Sequence, residues 1–405
     1  MEPFEDPVSS DVLLILQFRT VNDPWLPRLR VFECEEIMEE LIPFVPLFLS
    51  PRTTKICFGF SRTFSTMAVA SMIGSLSTLC PDLESITLED LPSDPAITEA
   101  VSEMLLVCNQ DTLQVFQVES PLSEEAREVV YRLPRLSTLR TMIEGNTSLP
   151  TIALPNLTLM SVEYDDDLDW LQGFRGATLG KLESVTFSSE SDQIVDFLAT
   201  FGNVALTISA QNTISRFKFN TSASWNPDYS SLLSFNQLKT LDIETSCDLG
   251  CSSKVDDDLV MSLARAMPKL ETLRLGDEPC RTPTGVTIDG LISLAHHCLR
   301  LSELRVHLQA TSLVEATNNA ATQCPSGEHV RREDCALTVL DVGDIPIPAQ
   351  STLEVTLALL QIFPRILSVN YTNPDWEAVE RNINCFRRIG VFVQHSSKIH
   401  PSHLY

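Results

Sequence analysis

Thirteen times the sequence returns to one short pattern: an apolar residue, two variable positions, a second apolar residue, one variable position and a third apolar residue. It is plainest at Leu83, Ile86 and Leu88; Leu182, Val185 and Phe187; Leu238, Leu241 and Ile243; Leu270, Leu273 and Leu275; and Leu301, Leu304 and Val306. Looser copies begin at Leu29, Thr53, Leu113, Leu136, Leu157, Ile214, Leu337 and Ile366, so successive starts lie 21 to 36 residues apart. Self-similarity at such a period marks an array of stacked units rather than a globule around one core.

Each copy reads as a short strand whose apolar members enter a shared core while the residues between them face out. Segments with helical spacing lie between copies. Leu259, Val260, Leu263, Ala264 and Met267 fall on one helical face behind the run Asp256, Asp257, Asp258, which is suited to capping a helix N-terminus, and Ile288 to Cys298 repeats the arrangement with Leu291, Ile292, Leu294 and Ala295. Pro27, Pro81, Pro134, Pro155, Pro268 and Pro364 each stand two residues before a first strand position, where a helix must end. One strand with one helix cannot bury its own apolar face, so neighbours must stack. These features predict an α/β fold, a leucine-rich-repeat solenoid with a curved parallel sheet on its concave side and helices on its convex side. It is expected over 23–394, between an N-terminal lead-in at 1–22 and a polar tail at 395–405. The competing reading is an ordinary α/β domain whose strands look alike.

Of the 405 residues 43% are hydrophobic, enough for a large core. No apolar run approaches the roughly 20 residues that span a bilayer. The run Val12 to Leu16 behind Glu2, Glu5 and Asp6 is not the basic-then-apolar start of a signal peptide. Eleven scattered cysteines do not resemble a disulfide framework, so reduced thiols and a cytoplasmic or nuclear location are expected. Cys80 and Cys298, each three residues before a strand position, read as fillers of one small core slot. A net charge of -25 argues against a nucleic-acid partner, whose phosphates call for a surplus of lysine and arginine.

No nucleophile elbow, phosphate loop, dinucleotide fingerprint or zinc-protease helix occurs, and no enzymatic activity, cofactor or metal is expected. Asp165, Asp166, Asp167 and Asp169 read as a capped turn rather than a cation site. Cys247 and Cys251, with Cys280, His296, His297 and Cys298 further on, have at most loose zinc-like spacing. The stretches Ser246 to Val255 and Ser312 to Asp334 read as protruding loops.

The outward positions carry the functional signal. Glu33, Glu35, Glu89, Glu119 and Glu163 make this face acidic early in the chain. Arg216, Lys218, Arg274, Arg305 and His307 follow, interrupted by Asp242, Glu244, Glu303 and Asp341. Those five basic residues are the candidate partner-binding set, since a patterned face selects a partner of complementary pattern. The same residues would equally serve as cross-strand charge pairs on a solvated sheet.

Leu26-Pro27-Arg28-Leu29, followed by Ile42-Pro43-Phe44-Val45-Pro46-Leu47-Phe48-Leu49-Ser50-Pro51, resembles the opening of the repeat region in fungal F-box/leucine-rich-repeat proteins. Cys80-Pro81-Asp82-Leu83 is similar to the cysteine-containing repeats of that family, and Leu294-Ala295-His296-His297-Cys298 and Ile362-Phe363-Pro364-Arg365 agree. The resemblance implies a module that holds a protein substrate for a cullin-based ubiquitin ligase. In that family a helical F-box docks on the cullin adaptor. Here Met1 to Asn22 is too short and too poor in helical periodicity to be an F-box, so the adaptor is a partner only if an F-box is supplied upstream. The alternatives are a stand-alone leucine-rich scaffold and, from another class, a GTPase regulator using Arg274 or Arg305 as a catalytic arginine.

Overall fold

In a computed structural model of the chain, every one of the thirteen copies becomes a strand, and every strand begins two residues after the first apolar position of its copy. The structure describes residues 24–396 except 62, 145–151, 165–168, 175–176, 178, 190–196, 199, 202–211, 222–228, 246–254, 277–284, 310–334 and 348. The lead-in at 1–22, most of the 395–405 tail, the loop at Ser312 to Asp334, the run Asp165 to Asp167 and Cys247, Cys251 and Cys280 therefore lie outside the described residues.

Two compact units share the strands. The first, Met1–Ser189 with Val204–Thr213, holds β1 (Val31–Cys34), β2 (Lys55–Gly59), β3 (Ser85–Glu89), β4 (Val115–Pro121), β5 (Thr138–Ile143), β6 (Leu159–Tyr164) and β7 (Ser184–Ser189). Each pairs in parallel with the next. The second, Glu190–Asn203 with Ile214–Tyr405, holds β8 (Arg216–Thr221), β9 (Thr240–Thr245), β10 (Thr272–Leu275), β11 (Glu303–Val306), β12 (Val339–Asp341) and β13 (Ser368–Asn370), again parallel in sequence order. Parallel neighbours require a crossover between every pair, and the distance between copies decides what that crossover is.

The described returns between copies about 30 residues apart are helices of ten or more residues, and closer copies leave room for less. The first unit has α1 (Val45–Phe48), α2 (Thr66–Leu79), α3 (Pro95–Val107) and α4 (Glu124–Val130). The second has α5 (Asp257–Ala266), α6 (Ile288–His297), α7 (Thr352–Ile362) and, after its last strand, α8 (Trp376–Ser396). Where copies are closer, the return is a short helix, as in α1 and α4, or a 3-10 turn, as at Asp169–Phe174 and Tyr229–Ser234. Consecutive helices pack on one another: α2 on α3, α3 on α4, α5 on α6 and α7 on α8.

The three apolar positions of a copy are its core. Leu83, Ile86, Leu88, Leu182, Val185, Phe187, Leu238, Leu241 and Ile243 are all buried. Leu29, Phe32 and Cys34 are only half-buried, because β1 has a strand neighbour on one side alone among the described residues. Three of the six prolines act where expected: the amides of Cys80, Met267 and Phe363 close the last turns of α2, α5 and α7 onto Leu76, Leu263 and Leu359, and Pro81, Pro268 and Pro364 follow at once.

A main-chain device sets the step between copies. The carbonyl one residue after the first apolar position accepts two amides from the next copy. Arg30 O takes Thr54 N and Lys55 N at 2.8 and 3.0 Å, and Lys239 O takes Glu271 N and Thr272 N at 2.7 and 2.9 Å. The same double bond recurs at Thr54, Glu84, Gln114, Ser137, Thr158, Ser215, Glu271, Ser302 and Thr338. Where that position is Ser or Thr, its hydroxyl often donates to the preceding carbonyl as well, as from Ser302 to Glu271 O at 2.9 Å and from Thr158 to Ser137 O at 3.0 Å.

The seven described cysteines are free thiols. Cys80 and Cys298 occupy the predicted slot and are fully buried, and Cys298 Sγ faces the carbonyls of Ala264 and Met267 at 3.7 and 3.6 Å. Burial pushes the thiols of Cys80 and Cys108 up to about 11 and that of Cys298 to about 12, so no reactive thiolate forms at neutral pH. Alkylation of the native protein at pH 7.5, read by peptide mass, should therefore modify exposed Cys385 and spare Cys80, Cys108 and Cys298 until denaturant is added. Equal rates at all four would contradict this packing.

Candidate protein-binding face

The outward residues of the second unit line up because the strands are in register. Lys218 stands beside Asp242, Asp242 beside Arg274, Arg274 beside Arg305, and Arg305 beside Asp341. Arg274 and Arg305, like charges side by side, would repel without the carboxylates around them. Arg274 donates to Glu303 Oε1 through Nε at 3.0 Å and Nη2 at 2.6 Å, with Asp242 at 3.5 Å from its Nη1. Arg305 donates from Nε to Asp341 Oδ2 at 2.9 Å and lies 3.8 Å from Glu244. Lys218 joins Glu244 at 3.3 Å and Asp242 at 3.7 Å.

Arg216, Lys218, Arg274 and Arg305, four of the five predicted site residues, are thus on this face. Arg216 is exposed at the start of β8 and makes no ion pair among the described residues. Lys218 and Arg274 are half-buried, and the Arg305 side chain is only 12% exposed inside its carboxylate shell. The charge-pair reading of these residues holds for Lys218, Arg274 and Arg305.

His307 differs from the expectation in its exposure, which is only 2%. It follows Val306, the last residue of β11. The imidazole lies against Gly276, where a Cβ would come within 3.3 Å of its Cε1, and that glycine has φ +96. The equivalent position of the preceding copy is thus left empty of side chain for the ring.

In the first unit the face is less tightly paired. Glu33 bonds Lys55 at 2.6 Å, Arg140 pairs with Glu119, and the Thr87 hydroxyl donates to Gln117 Oε1 at 3.1 Å. Glu35 and Glu89 make no ion pair among the described residues.

Asp242 is the electrostatic centre of the lattice. Its side chain is 7% exposed, and Oδ1 has no hydrogen-bond partner among the described residues. Burial, and then the neighbouring Glu244, raise its pKa above the ordinary 3.8, against the pull of Lys218, Arg274 and Arg305. The folded state therefore binds this proton more tightly than the unfolded chain. Asp242's contribution to stability is full below pH 3.8 and is lost as pH rises through the higher folded value. Asp242→Asn should remove this component, so its melting temperature should gain on the parent's as pH rises from about 3 to 6. A constant difference across that range would refute the assignment.

Among the described residues no group of three His, Cys, Asp or Glu side chains is placed to hold a metal ion, and no helix is long and apolar enough to cross a membrane. Asp169 opens the 3-10 turn whose Trp170 and Phe174 are buried, and His296 and His297 form an edge-to-face ring pair at 4.6 Å in the last turn of α6. The sequence matches no family model and no curated protein.

Proposed function

We propose that the chain is a leucine-rich-repeat module that recognises a protein partner through its outward strand face, as the substrate-holding component of an F-box-type ubiquitin ligase pathway inside the cell. The observation that carries the reading is the in-register row of charged side chains on β8 to β12, a rigid polar surface of fixed spacing. Saturated ion pairs also favour recognition over catalysis, since Arg274 and Arg305 spend their donors on carboxylates and are poorly disposed to serve as a GTPase's arginine.

The test is capture of the intact chain from fungal extract with lysine cross-linking. Partner cross-links to Lys55 or Lys218 on the strand faces are expected. Links confined to Lys181, Lys239 and Lys269 would overturn the face assignment. Co-capture of the cullin adaptor supports the ligase role, and specific partners without it favour a stand-alone scaffold. Arg216→Glu is the cleanest probe, because it reverses an exposed charge outside the lattice and should weaken capture without shifting the melt.

A further inference from the structure

We infer that a cleft in the first unit, between α3 and the end of β4, docks a partner segment that carries an apolar anchor flanked by lysine or arginine. The inference rests on the protein-binding reading and names a second contact, separate from the charge lattice. The cleft encloses about 630 Å³, and its apolar lining includes Pro95, Leu106, Pro121 and Met142. Leu106 is 43% exposed at the end of α3 and adds an open apolar side chain to this lining.

The charge around this apolar lining is of one sign. Glu99, Glu103 and Glu144 line the cleft, all exposed, and make no ion pair among the described residues. Glu99 and Glu103 are four apart on one helical face, where like charges destabilise the helix. The other two acids are committed: Asp94 caps α3 by accepting from Ala96 N at 2.8 Å, and Glu119 pairs with Arg140. A neighbouring hollow of about 580 Å³ shares Leu106 and adds Glu124 and Glu125, while its Glu128 pairs with Arg132 at 3.8 Å. In the second unit, by contrast, Asp242, Glu244, Glu303 and Asp341 each have a basic partner.

The backbone opens the wall. Strands β4 and β5 pair regularly from Val115 to Gln117, then the register slips so that Pro121 meets Met142. Four residues of β4 thus advance against two of β5, a bulge that splays the strand end, and Pro121 has no amide to close the ladder. A segment with leucine at its centre and lysines at its ends would seat the leucine on Leu106 and Met142 and bring its ammonium groups to the unpaired carboxylates. An acidic segment would be repelled.

The experiment is fluorescence anisotropy of the intact chain with a short labelled peptide of that composition, in about 0.15 M salt so that long-range attraction is screened. Glu99→Lys, Glu103→Lys and Glu144→Lys together should weaken binding at least tenfold, and Leu106→Ser alone should weaken it severalfold. Glu36→Lys, Glu84→Lys and Asp111→Lys together change net charge equally and should leave binding within about twofold. Equal loss from both triple variants, or no binding to the intact chain, overturns the inference. Should the first triple variant melt early, Glu103→Gln and Leu106→Ser decide the matter. Captured partners that cross-link to Lys55 or Lys218 while the peptide fails to bind would overturn the cleft and leave the strand-face reading standing.

Discussion

Trp376→Ala should cost about 4 kcal/mol of unfolding free energy, the largest single-residue effect expected in the second unit. Trp376 opens α8, is fully buried, and with Val379 and Ile383 forms the stripe by which that helix packs on α7 and β13. Truncation leaves a cavity at the last described strand, where no further copy is described to close around it. It also removes the bond from Trp376 Nε1 to Ile345 O, 2.8 Å long and buried. Trp376→Phe separates the two losses, since it keeps most of the ring and orphans only the carbonyl, at about 1 to 2 kcal/mol. Urea unfolding measures both. A Trp376→Ala cost below about 1 kcal/mol would mean that α8 is not part of the folded unit.

Asp257→Ala should cost about 3 kcal/mol, because one carboxylate fastens two consecutive helices. Asp257 belongs to the first turn of α5, yet its Oδ1 accepts from Thr287 N at 2.8 Å and Gly290 N at 3.0 Å, and its Oδ2 from Thr287 Oγ1 at 2.6 Å. It thus serves the N-terminus of α6, whose own cap, Thr287, covers only Asp289 N. Gly290 is required by the same contact: a Cβ there would lie 2.5 Å from Asp257 Oδ1. Gly290→Ala should cost about 2 kcal/mol by expelling the carboxylate. The double variant should then lose about 3 kcal/mol rather than the additive 5. Additivity would show that the two residues act independently.

These residues also mark how far the sequence could be read. The strands were legible because the spacing of Leu238, Leu241 and Ile243 reports burial directly, and the same arithmetic locates all thirteen starts. Asp256 was legible as a cap, since capping is local, and it accepts from Leu259 N at 2.9 Å. Asp257 was not, because its partners lie about 30 residues on, in the next copy. The burial of His307 was hidden for a related reason: its ring lies against Gly276, a residue of the preceding copy. Of the candidate site, the charged row was visible as composition. Its pairing depends on register between copies, and the cleft beside α3 depends on a slip in that register, which no single copy encodes.

The paired amide hydrogen bonds at the starts of β2 to β7 and β9 to β13 have a consequence for what such a chain can become. Because the acceptor is a carbonyl and the donors are amides, the pitch is indifferent to side-chain identity, like the teeth of a rack. Residues added between one apolar triad and the next lengthen a helix or loop and leave the pitch alone, as the 21- to 36-residue spacings show. A single residue added within a triad would send the rest of that strand's side chains to the wrong side. The outward letters can therefore be rewritten one at a time, each held at a constant distance from its neighbours, so a new specificity needs no new frame.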